Sequence, residues 1–114
     1  MKKTIVLLAM LFVFAGVHAQ QHKVVIQMTS ADTAVFKALI NNLVHLKEGW
    51  GNDVQVEVVV HGPGIDFLTT AKTTQKEGIG KMQDLGVQFV VCENTMKQRK
   101  VTKEQLLPNT GFVK

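Results

Sequence analysis

The chain is predicted to be an α/β protein, a three-layer α/β/α sandwich around a mostly parallel sheet. Two observations predict it. β-branched runs of strand length recur near residues 23–29, 54–60 and 87–91. Between them lie segments whose apolar residues fall at three- and four-residue spacing, the period of an amphipathic helix. Strands alternating with helices are satisfied by parallel pairing through right-handed crossovers.

Residues 23–29 (KVVIQMT) come first; they are mostly apolar with Gln27 inside, which suits a buried parallel strand. Ser30, Asp32 and Thr33 then supply N-cap candidates. Val35, Leu39, Leu43 and Leu46, flanked by Phe36, Ile40 and Val44, give one broad apolar face to a helix over 31–47. Asn41, Asn42 and Glu48 take its other side. Gly49 and Gly51 end it, and Trp50 is expected to act as a lid on the core. Residues 54–60 (VQVEVVV) read as a second strand with Gln55 and Glu57 on its wetter side. His61-Gly62-Pro63-Gly64 is a turn, rigid and then permissive. The short apolar piece 65–68 fits a brief strand or one helical turn equally well.

Residues 69–74 are polar connection. A second amphipathic helix spans 74–85, with Ile79, Met82 and Leu85 inward; Gly78 and Gly80 weaken it by up to about 1 kcal/mol each. Gly86 stops it, and 87–91 is the strand that delivers Cys92. A short helix over 94–98 comes next, then a capped turn at 102–105 before Leu106-Leu107-Pro108. Gly111-Phe112-Val113 can open a further strand.

The first nineteen residues stand apart. Lys2 and Lys3 form a basic head, 4–17 is almost wholly apolar, and Val17-His18-Ala19 has the small-x-small form of a cleavage site. That order predicts a signal peptide over 1–19 and export to the periplasm or beyond. The apolar run is too short for a usual membrane span, so no stable membrane insertion is expected after cleavage. Residues 20–114 then form one domain, too small for two cores. Losing Lys2 and Lys3 lowers the formal charge from +4 to +2, which, without aromatics interleaved among the basic residues, gives no support to nucleic-acid binding.

Cys92 is the only cysteine. In an exported chain it is a buried inert thiol, a partner in an intermolecular bond, or a working nucleophile. Its place at the carboxyl end of a strand, just before a helix, favours the third. Free N–H groups near Asn94 and Thr95 would stabilise a thiolate or the terminal sulfur of a persulfide. His61, at the end of another strand, is a candidate to assist or to contact a ligand. His22 is assigned to a loose tail and His45 to a packing or surface position. No nucleotide-binding fingerprint, hydrolase elbow or paired-carboxylate spacing is present. Cys92, His61, Met28 and Met96 include soft donors, but no close-spaced ligand motif marks a metal site, and no cofactor is expected.

Three segments together carry a resemblance: 56–65 (VEVVVHGPGI), 86–96 (GVQFVVCENTM) and the Thr-x-x-x-Leu-Leu-Pro ending at 102–108. The chain resembles the DsrE-like family, small α/β proteins that include sulfur-relay subunits, over 23–112. The resemblance implies that Cys92 accepts and passes on sulfur as a persulfide, in exchange with donor and acceptor proteins. It also implies a homo-oligomer, a trimer or hexamer. Relatives usually carry another strand beyond the position of Val113, so the chain reads as truncated at its C-terminus. The competing expectation is a non-catalytic module that binds a small ligand or soft metal, or a structural subunit of an oligomer.

Overall fold

The computed structural model describes residues 22–114; the expected signal peptide lies outside them. Four strands form one sheet in the order β1-β2-β3-β4, each pair parallel. They are β1 (His22–Met28), β2 (Val54–Val60), β3 (Gln88–Cys92) and β4 (Gly111–Val113). Helix α1 (Thr33–Trp50) links β1 to β2. A 3-10 segment (Gly62–Leu68) and helix α2 (Lys76–Asp84) link β2 to β3, while helix α3 (Glu93–Arg99) and a 3-10 turn (Lys103–Gln105) lead to β4. This is the expected α/β class, a parallel sheet flanked by helices. No helix among the described residues is long and apolar enough to cross a membrane.

Strand alternation sorts the sheet into two faces. Val54, Val56, Val58 and Val60 point into the core with Phe89 and Val91, and the parallel register sets Ile26, Val58 and Phe89 abreast. Phe36 and Leu43 of α1, Phe67 of the 3-10 segment and Ile79 of α2 pack over that face. The rings of Phe36 and Phe67 lie 5.1 Å apart and those of Phe67 and Phe89 6.0 Å, so one aromatic file joins helix, turn and strand. On the opposite face Lys23, Val25, Gln27, Gln55 and Gln88 are exposed.

Helix α1 starts where its caps predict. The Asp32 carboxylate accepts from the Ala34 amide at 2.9 Å, and Ser30 Oγ accepts from the Asp32 amide at 3.0 Å. Its end corrects the expectation. The helix runs through Gly49 to Trp50 and stops at Gly51, whose φ of 55° turns the chain. Trp50 therefore does not lid the core. It is 44% exposed and stacks on the His22 ring, with centroids 4.0 Å apart. His22 is thus the first residue of β1 rather than part of a loose tail. Val35 and Leu85, expected inward, are exposed, each lying at the margin of its helix. The undecided piece 65–68 is 3-10 helix with Ile65, Phe67 and Leu68 buried.

Two glycines are there for close approach. A Cβ on Gly78 would meet Ile40 Cγ2 at 2.9 Å, so this residue, a weakness by helix propensity alone, lets α2 seat against α1. A Cβ on Gly64 would collide with the Met28 carbonyl oxygen; the turn after β2 lies flat on the end of β1. Gly64→Ala is expected to lower stability by more than about 2 kcal/mol, read as a shift in urea midpoint. Gly80→Ala has open space in the same helix as Gly78 and is expected to be neutral or to stabilise by up to about 1 kcal/mol. Equal effects of the two would contradict this packing.

Candidate functional site

The register that aligns Met28, Val60 and Val91 across β1, β2 and β3 also aligns the residues just beyond them. Past Val60 the chain enters His61 and the Gly62 turn. Past Val91 it reaches Cys92, the last residue of β3. Cys92 keeps an extended backbone (φ −68°, ψ 119°) while the next residue begins α3, so Cys92 is the N-cap of that helix. Its side chain is half-buried and forms no disulfide.

Donors lie near the sulfur, although Cys92 closes no side-chain capping hydrogen bond on the helix. The Thr95 backbone N–H and then the Thr95 hydroxyl favour its charged form most, with a smaller contribution from the Asn94 N–H. These hold the Cys92 thiol below its ordinary range because each favours the thiolate. Partial burial and the neighbouring Glu93 carboxylate push the other way and are outweighed. The N-cap position explains the geometry: the first amides of a helix have no carbonyl partner within it and point back at the capping residue.

Thr95 is itself buried, at 5% exposure. Its Oγ1 accepts a hydrogen bond from the Gly62 N–H at 3.0 Å, joining positions 33 residues apart in sequence. The Gly62 turn is held in turn by the sheet. The His61 N–H donates to the Met28 carbonyl at 3.2 Å, and the Gly64 N–H to the His61 carbonyl at 3.1 Å. The candidates Cys92, Asn94, Thr95 and His61 therefore belong to adjoining segments at one sheet edge. Asn94 contributes its amide and leaves its side chain exposed. His61 is half-buried and contributes its backbone to the turn. Gly62 is not singled out by the sequence; the Gly-Pro-Gly pattern marks a turn, but nothing in it announces a donor to Thr95. Among the described residues no cluster of three or more His, Cys, Asp or Glu side chains could hold a metal ion.

A parallel α/β protein with a single thiol at the carboxyl edge of its sheet is the class that fold and site define. Residues 14–114 match the DsrE/DsrF-like family, and the chain belongs to it. Among solved structures it is similar to a protein of unknown function from Methanobacterium thermoautotrophicum, at 24% identity over 81% of each chain and a TM-score of 0.75. That likeness shows a shared fold. No curated protein matches the chain.

Because folding favours the thiolate, its contribution to stability is fully present above the unfolded thiol's pKa and is lost as pH falls through the folded one. The pH dependence of iodoacetamide alkylation is expected to have a lower midpoint in the folded protein than in the same protein in urea. Coincident midpoints would show that the donors do not act on the sulfur.

Proposed function

We propose that the protein is an exported sulfur carrier that holds sulfur as a persulfide on Cys92. The observation that supports this most directly is the place of the thiol, at a partly exposed strand end that caps a helix, with the donors of Thr95 and Asn94 near enough to hold it below its ordinary range. A cysteine serving only as a small core hydrophobe has no use for such donors.

In the forward step the Cys92 thiolate attacks the terminal sulfur of a donor persulfide. A new S–S bond forms at Cys92, the donor's S–S bond breaks, and the donor leaves as a thiolate. The transferred sulfur keeps its proton, and the oxidation level moves with it, so no outside oxidant is needed. Release reverses the step on an acceptor thiolate. The N–H groups that favour the Cys92 thiolate can also steady the terminal sulfur when it is ionised. His61, at the same sheet edge, is the candidate to exchange a proton with the cargo.

Export belongs to the same reading, on the apolar run 4–17 and the site at Ala19, with donor and acceptor proteins outside the cytoplasm. Assembly as a homo-oligomer, a trimer or hexamer, rests on the family resemblance. The test is direct because the chain has one cysteine. Incubated with a sulfane donor, the wild-type protein is expected to gain one sulfur atom by intact mass, removable by a thiol reductant, and Cys92→Ser none. Equal uptake by Cys92→Ser, or no uptake by wild type, would overturn the proposal in favour of a binding or structural module.

A further inference from the structure

Charge is unevenly divided along this domain. Residues 97–114 carry five basic side chains and one acidic, a formal +4, while 22–96 carry six basic and eight acidic, a formal −2. We propose that the surface formed by α3 and the 3-10 turn after it docks an acidic protein partner, one that presents an apolar side chain flanked by carboxylates. The inference names the kind of partner for the thiol edge and rests on the sulfur-carrier reading only for what that partner delivers.

The cations are free to act on a visitor. Lys97, Arg99, Lys100 and Lys103 are all exposed. Among the described residues the ion pairs are His45 with Glu48 and Lys72 with Asp66, so none of the four is matched by a carboxylate. Lys103 is held by something other than an acid: its Nζ lies 4.6 Å from the centre of the Phe112 ring. That contact fixes the ammonium without neutralising it.

Between the lysines lies a recess of about 270 Å³. One wall is a single stripe of α3, Glu93, Met96 and Lys97, at the three- and four-residue spacing of neighbours on a helix surface. The other wall is Val101, Thr102 and Lys103. Met96 and Val101 supply apolar lining, and Lys97 and Lys103 stand on the rim. An apolar centre within a charged rim is the anatomy of a protein interface. A membrane-binding surface instead carries protruding apolar side chains that insert into lipid; here the apolar atoms are sunk and receive a side chain. Glu93 is the one acid of the lining, and it directly follows Cys92. The partner's carboxylates therefore belong at the lysine end of the recess, which leaves the end toward the thiol for the partner's reacting group. Complementary charge would also speed the encounter.

The test uses the folded full chain and a synthetic peptide, a leucine pair flanked on each side by two glutamates. Saturable amide shifts are expected at Met96, Lys97, Val101 and Lys103. Affinity is expected to fall at least about tenfold from about 50 to about 300 mM salt, and by a similar factor in the double variant Lys97→Glu, Lys103→Glu. The pair Lys37→Glu, Lys76→Glu makes the same change in net charge at exposed sites elsewhere and is expected to bind as wild type. Replacing the peptide's leucines with glycine is expected to abolish the shifts at Met96 and Val101. No saturable binding, or equal loss in the two double variants, would overturn the proposal. So would phosphatidylglycerol vesicles bound through Lys97 and Lys103 in place of the peptide, or a change in oligomeric state as the sole effect of reversing those charges. Sulfane uptake is read separately by mass. Uptake without peptide binding removes only the docking surface, and binding without uptake removes only the carrier.

Discussion

The structure depends on the parallel register of β2 against its two neighbours. That pairing sets Met28, Val60 and Val91 abreast with their side chains turned to the helices, and full burial of each such side chain is worth about 1.5–3 kcal/mol. A slip of one residue in β2 would send Gln55, Glu57 and Val59 into the core in place of four valines. The hydrophobic term therefore decides the alignment, and the alignment brings the Gly62 turn to Thr95. The site is a by-product of a core that tolerates no other pairing.

At the thiol, opposing effects are nearly matched in kind. Partial burial and Glu93 disfavour a negative sulfur; three nearby donor groups favour it and prevail. All three come from two residues, Asn94 and Thr95. That economy stems from the N-cap geometry, in which amides with no helical partner are already aimed at the preceding residue. The basic residues Lys97 and Arg99 sit in the last turn of α3, where they complement the helix dipole rather than the sulfur.

Much of the fold was legible because its signals are local. Runs of valine announced β2 and β3, the spacing of Phe36, Leu39, Ile40 and Leu43 announced α1, and Asp32 announced its start. The features that escaped notice depend on contacts between distant segments. Gly78 looks like a flaw in a helix until Ile40 is seen against it. Trp50 and His22 each look loose or misplaced alone, and each supplies the surface on which the other rests. The position of Cys92 could be read from strand and turn; the Thr95 hydroxyl bond to Gly62 could not, because only the folded sheet brings those residues together.

The shortest strand decides what stands beside the thiol. Within β4, Val113 is the register partner of Cys92, so the main chain of the neighbouring strand runs beside the backbone that carries the thiol. That pairing is parallel, so both strands present their carboxyl ends on the same rim. On the other side Val60 of β2 pairs with Val91, so His61 follows at the level of Cys92 and the histidine and the thiol share that rim.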